Sequence, residues 1–228
     1  MSRIVTAVVL AAGSGERVGS DIPKQFLPLG GKPMLHRSLA VLEAADDIRD
    51  VVVALPPDDG SDLSEFPKVV SQVTGGKTRQ ASLQSALGKL PESTDTVMVH
   101  DAARPLLDRA LIGKLLVALD ETCEGVIPAI PVEDTIKRVS DGLLVEQEVD
   151  RQGIWRVQTP QIFRRAVLED SLAKALASGL ESTDCSQMLT SAGYRVRVVE
   201  GDTLNFKVTR AADLWLAEQI LAARPEVD

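Results

Sequence analysis

Short apolar runs alternate along this chain with stretches of helical spacing. The runs at 4–10, 50–55, 68–73, 96–100, 125–129 and 194–199 are rich in Val, Ile and Leu, and several are apolar almost without a break. Unbroken runs of this length mark strands covered on both faces, as in parallel sheet. Helical patterns fill the intervals at 32–45, 78–90, 108–121, 164–178, 183–192 and 210–223. The alternation predicts an α/β fold, a Rossmann-like doubly wound and mostly parallel sheet. Ligands of such sheets bind beyond the carboxyl ends of the strands. The loops that follow the strands are therefore where chemistry is expected. Pro56-Pro57-Asp58-Asp59-Gly60 reads as a surface turn, and no internal repeat or low-complexity tract interrupts the pattern.

One stretch departs from the alternation. Across 131–158 no helix intervenes, and Ser140-Asp141-Gly142 reads as a hairpin turn between two extended segments. Ile154 and Trp155 in the same stretch favour burial against something. The expectation is a single domain over 1–228 with 131–158 as a projecting β-arm for dimerisation, giving a homodimer.

Composition narrows the class. A chain of 228 residues suits one α/β domain, and a hydrophobic content of 44% supports a sizeable core. With aromatics at 3%, that core must be mainly aliphatic. Lys and Arg number 25 against 33 Asp and Glu, a net charge of −8, which argues against nucleic acid as a partner. Any phosphate chemistry must therefore rest on locally gathered cations. Cys123 and Cys185 lie far apart without metal-ligand spacing and read as reduced thiols. No apolar run reaches transmembrane length and the N-terminus has no signal-type apolar region, so no membrane partner and a cytoplasmic location are expected.

Three stretches carry candidate chemistry. The first is AAGSGERVGSDIPKQF at 11–26, directly after the first strand. A Gly-rich turn there lets backbone N–H groups converge on anionic oxygens, chiefly phosphate, with Gly13 and Gly15 allowing close approach. Arg17 and Lys24 add two positive charges. No Gly-Lys-Ser/Thr follows, and Val18 stands where a dinucleotide fingerprint has its third Gly. The second, GGKTRQAS at 75–82, puts Gly75 and Gly76 where a flat base can lie on backbone, with Ser82 on the first helical turn able to bond a base edge. By itself it is equally an ordinary turn. The third, VHDAARP at 99–105, brings Asp101 off a strand end, suited to Mg2+, followed by Ala102 and by Arg104, suited to a second anion. Helix capping and a surface ion pair are the plain alternatives for these two, and His100 reads as packing. Thr135, Arg151, Thr183 and Lys207 are further polar or cationic candidates, each unremarkable alone.

The first stretch resembles the signature of sugar and alditol nucleotidyltransferases. Taken with GGKTRQAS, VHDAARP, VEDTIKR, VDRQGIWRVQTPQ, ESTDCS and NFKVTR in order, the whole chain resembles the 2-C-methyl-D-erythritol 4-phosphate cytidylyltransferases of the non-mevalonate isoprenoid pathway. The resemblance implies CTP and a sugar-alcohol phosphate as substrates and Mg2+ as cofactor. It implies that residues 11–15 line the triphosphate and that Arg17 and Lys24 stabilise the transition state. Gly76 and Ser82 would read cytosine, and Asp101 would meet Mg2+. Arg104, Thr135, Thr183, Arg151 and Lys207 would hold the methylerythritol phosphate, with Arg151 supplied by the dimer partner's arm. Two positions depart from the pattern. Lys77 stands where the family often has an acidic residue, and Leu204 replaces another, with Asp202 the nearest carboxylate. A ribitol-5-phosphate cytidylyltransferase and a non-catalytic CTP sensor are the competing expectations.

Overall fold

The fold is described from a computed structural model at residues 3–13, 22–57 and 59–223. In chain order the elements are β1 (Val5–Leu10), β2 (Pro28–Leu29), β3 (Lys32–Pro33), α1 (Met34–Glu43), β4 (Ile48–Leu55), β5 (Val69–Thr74), α2 (Arg79–Leu87), β6 (Thr96–Asp101) and α3 (Arg109–Ala118). They continue as β7 (Gly125–Pro131), β8 (Ile136–Val139), β9 (Val145–Val149), β10 (Trp155–Val157), β11 (Gln161–Arg164), α4 (Arg165–Ser178), α5 (Cys185–Ser191), β12 (Val196–Glu200) and α6 (Ala211–Ala223).

The main sheet runs β5-β4-β1-β6-β11-β7, and β10 and β12 both pair with β7. β1 is parallel to β4 and β6, β4 to β5, and β7 to β12, while β10 and β11 run antiparallel. Successive side chains of a strand point to opposite faces, so a near-continuous apolar run feeds two cores. Val5, Ala7 and Val9 of β1 meet Leu35 and Leu39 of α1 and Leu111 and Leu115 of α3. Val8, from the same strand, joins Leu83 of α2, Leu168 of α4 and Met188 of α5 on the other face. A third cluster seats α6 through Ala217 against Leu29, Met34, Leu106 and Val208.

From β1 the chain passes through α1 to β4 and then β5. It returns through α2 to β6, on the other side of β1. β1 and β6 therefore flank the point where strand order reverses, and a crevice opens beyond their carboxyl ends. Both ends carry sequence motifs.

All six expected strands and all six expected helices are present, with shifted ends. α2, α3 and α5 begin at 79, 109 and 185 because Thr78, Asp108 and Asp184 stay outside the helix as caps. Their side chains accept from the N–H groups of Ala81, Ala110 and Gln187. Lys32 and Pro33 pair with β2 instead of opening α1, since Pro33 holds an extended ψ of 145°. Besides the small β2–β3 pair, two antiparallel strands in the main sheet are additions to the expected pattern. β11 is short and opens on the polar Gln161, yet it is slotted between β6 and β7 with its first three residues buried. β10 lies inside the span expected as an arm, and pairs with Ala129–Pro131 of β7. The excursion is thus narrower than 131–158. Its tip is the β8–β9 hairpin, which pairs with itself and not with the main sheet. The expected turn is present: the Ser140 amide donates to the Leu144 carbonyl at 3.0 Å, and Leu143 takes a φ of 58°. Val139, Leu143, Leu144 and Val145 leave the hairpin with exposed apolar side chains.

Candidate active site

A cavity of about 490 Å³ occupies the crevice beyond β1 and β6. Its walls are Ala11, Ala12 and Gly13 after β1, Lys24 and Gln25 of a single 3-10 turn, residues 76–79 and Ser82 around the start of α2, Asp101, Ala102 and Ala103 after β6, and Lys207. The strand ladders extend into these loops and hold them in register. The Ala11 amide donates to Ala54 O at 2.8 Å, Gly75 N to Leu55 O at 2.8 Å, and Ala102 N to Leu10 O at 3.1 Å. The glycines are needed for close approach. A Cβ on Gly75 would collide with the Ala12 Cβ, and one on Gly76 with the Ala81 Cβ. Ser82 Oγ accepts from Gly76 N at 3.1 Å and lies 3.0 Å from Thr78 O, which joins the loop to the helix.

A second pocket of about 300 Å³ adjoins the first. Arg104, Val157, Gln158, Thr159, Gln161, Thr183, Asp184 and Ser186 line it, and it shares Arg79, Asp101 and Lys207 with the first. Those three residues form one ion-paired unit. Arg79 Nε donates to Asp101 Oδ1 at 3.1 Å and Lys207 Nζ to Oδ2 at 2.8 Å. Burial disfavours a charged Asp101, but the fields of Arg79, Lys207 and Arg104 outweigh it and hold the carboxyl well below the usual range. Arg104 donates from Nη1 to Asn205 O at 2.7 Å and from Nη2 to Val157 O at 3.2 Å.

A latch orients Lys207. Gln158 Nε2 donates to Asp202 O at 2.7 Å, and Asn205 Nδ2 to Thr159 O at 2.8 Å, so the loop before Lys207 is tied to the strand after the hairpin. Thr159 Oγ1 in turn accepts from the Asp101 amide at 3.0 Å and meets His100 Nδ1 at 3.2 Å. His100 Nε2 lies 3.2 Å from Arg104 O. Burial, aided by the charge of Arg104, pushes the His100 pKa down to about 4. It is a neutral, fully buried packing residue, as the sequence suggests.

Of the expected site residues, Ala11, Ala12, Gly13, Lys24, Gly76, Ser82, Asp101, Ala102 and Lys207 line the larger pocket. Arg104 and Thr183 line the smaller one. Gly75 lies just behind the wall, against Ala12. Ser14, Gly15 and Arg17 lie outside the described residues. Thr135 and Arg151 line neither pocket: both are exposed beside the hairpin, and Arg151 Nη1 donates to the Glu133 carbonyl. Asp202 lines neither pocket, and its Oδ1 accepts from Leu204 N at 2.8 Å. Sequence reasoning does not single out Arg79, Gln158, Thr159 or Asn205. Each lies in a motif stretch, but its partner is distant in sequence.

Among the described residues no group of three or more His, Cys, Asp or Glu is arranged to hold a metal. Asp101 still fits Mg2+. Each of its oxygens accepts one hydrogen bond from a cation and keeps a second lone pair. Mg2+ commonly takes one or two carboxylates together with substrate phosphates and waters. The donor set suits a metal that arrives with a polyphosphate. Among the described residues no helix is long and apolar enough to cross a membrane.

The sequence matches the family model described as "IspD: 2-C-methyl-D-erythritol 4-phosphate cytidylyltransferase" over residues 5–223. A relative of that name from Chromobacterium violaceum is 41% identical over 224 residues, covering 96% of this chain and 99% of the relative. The crystal structure of the Thermus thermophilus enzyme of that name superposes with a TM-score of 0.82 at 35% identity, covering 96% of this chain and 100% of that one. The Francisella tularensis structure gives 0.83 at 30%, covering 95% and 99%. With the family model spanning nearly its whole length, the chain belongs to the 2-C-methyl-D-erythritol 4-phosphate cytidylyltransferase family and is a nucleotidyltransferase.

Proposed function

We propose that this chain transfers the cytidylyl group of CTP to 2-C-methyl-D-erythritol 4-phosphate, releasing pyrophosphate. The observation that carries the reading is the pair of adjoining pockets whose common wall is Arg79, Asp101 and Lys207. In this reading CTP fills the larger pocket, its base toward Gly76 and Ser82 and its triphosphate toward Ala11–Gly13 and Lys24. The acceptor phosphate fills the smaller, beside Arg104 and Thr183, so the two phosphates meet at the shared wall.

An oxygen of the acceptor phosphate forms the new bond to the α-phosphorus of CTP. The bond from that phosphorus to the β-bridging oxygen breaks, and pyrophosphate leaves with the electron pair. The second pKa of a phosphate monoester is about 6, so the nucleophile is ionised at neutral pH and needs no general base. This agrees with a neutral His100 hydrogen-bonded at both ring nitrogens. The barrier is the approach of two anions. Lys24 and Lys207, with Arg104 beside them, offset that repulsion and stabilise the charge that develops. Asp101 keeps the Lys207 ammonium aimed at the junction, and the latch through Gln158 and Asn205 restricts its loop. Mg2+, when bound, would be held by Asp101 and the triphosphate and would neutralise charge on phosphate oxygens. Arg17 belongs to the same reading through its place in the Gly-rich motif.

The β8–β9 hairpin, with its exposed Val139, Leu143, Leu144 and Val145, is proposed to seat on a second copy. Thr135 and Arg151 at its base then complete the partner's acceptor pocket. Pyrophosphate release with CTP and Mg2+ tests the reaction. Release with methylerythritol phosphate and at least about tenfold less with ribitol 5-phosphate is expected, a selectivity worth about 1.4 kcal/mol. Equal turnover with both, or CTP binding without release from either, overturns the assignment.

A further inference from the structure

We propose that Arg79 is a further substrate-contacting residue, holding the acceptor phosphate through its Nη2 hydrogens while Asp101 and Cys185 fix the plane of its guanidinium. The inference rests on the functional reading above and extends it. Arg79 is one of three residues common to both pockets. Two sides of its planar fork are already committed, Nε to Asp101 Oδ1 at 3.1 Å and Nη1 to Cys185 Sγ at 3.2 Å. The third nitrogen, Nη2, is buried with no hydrogen-bond partner. A buried donor left unmade is costly, more so on a charged group. A guanidinium pinned at two corners with its third free is preorganised for an anion.

The anion follows from the company Arg79 keeps. Arg79 itself lines the smaller pocket, together with Arg104 and Lys207. Three cations around one carboxylate suit a phosphate dianion better than a sugar hydroxyl. As the acceptor oxygen bonds to the α-phosphorus and pyrophosphate departs, Arg79 donates hydrogen bonds to the acceptor's other oxygens and gives up no proton. Cys185 acts through Arg79 and is a positioning residue: its sulfur is fully buried and accepts the Nη1 hydrogen.

Arg79→Lys keeps the charge and loses the fork. With thermal melting confirming the fold, we expect kcat/KM for methylerythritol phosphate to fall by about 10²-fold or more, with raised acceptor KM. CTP affinity by calorimetry should fall much less than acceptor affinity, since the Nη2 contact is to the other substrate. Arg79→Gly should regain activity saturably with millimolar guanidinium. Cys185→Ala should raise acceptor KM, while Cys185→Ser, which retains an acceptor, should restore it. The Cys185 pair leaves Arg79 in place and decides the matter if the Arg79 variants unfold. Wild-type kcat/KM in Arg79→Lys, a loss falling equally on CTP binding, or equal acceptor KM in both Cys185 variants overturns the proposal. Wild-type enzyme that releases no pyrophosphate with any alditol phosphate overturns the functional reading instead.

Discussion

Asp101 accepts from two cations at once, and that double pairing organises its neighbours. Breaking a buried pair by removing one partner costs far more than the pair contributes net, because a charge is left uncompensated. His100 next to it is the opposite case, a titratable group kept neutral. Its folded pKa of about 4 lies below the ordinary value of 6.5. Between those two values the unfolded chain binds more protons than the folded one, so stability rises with pH and levels off above about 6.5. Acidification from pH 7 to 4 should therefore remove up to about 3 kcal/mol through this residue. Denaturant melts of wild type and His100→Gln across that range test it. The wild type should lose more stability than the variant, and parallel curves would refute the role.

At the scale of elements, the loops that follow β1 and β5 touch through Ala12 and Gly75. A Gly75→Ala side chain would collide with the Ala12 Cβ and meet Ser82 Oγ at 2.9 Å, so one loop has to move. We expect KM for CTP to rise by about tenfold or more with acceptor KM little changed, since a shift of about an ångström at a positioning contact can cost up to 10²-fold. An unaltered CTP KM in steady-state kinetics would show that the larger pocket tolerates the shift. The ends of α2, α3 and α5 show why periodicity overruns: Thr78, Asp108 and Asp184 fall inside the helical spacing but stay outside the helices as caps. β11 shows the converse. Four residues beginning with Gln161 carry little periodic signal, and their strand character comes from the slot between β6 and β7 that they fill.

At the scale of the molecule, the proposed homodimer divides one site between two chains. Arg151 lies beside its own hairpin and lines neither pocket of its own chain. Arg151→Ala should raise acceptor KM, and Lys24→Ala should lower kcat more than it raises KM for CTP. In mixed dimers of the two variants one site has both residues intact, so up to about half the wild-type activity should return at that site. Verified heterodimers that stay as inactive as the parents would exclude a shared site. The doubly wound sheet, the strand-end loops and most residues lining the larger pocket are legible in the sequence because their signals are local: unbroken apolar runs, a Gly-rich turn, a carboxylate directly off a strand. The hairpin is legible as an interruption, though β10's return to β7 is not. What only the tertiary structure decides is which distant side chains meet. Arg79 reaches Asp101 across 22 positions, Cys185 across 106, and Lys207 reaches Asp101 across 106. Hydrogen bonds and ion pairs act over a few ångströms of space and leave no period along the chain, so these contacts exist only once the sheet has brought the loops of β1, β5 and β6 to one edge.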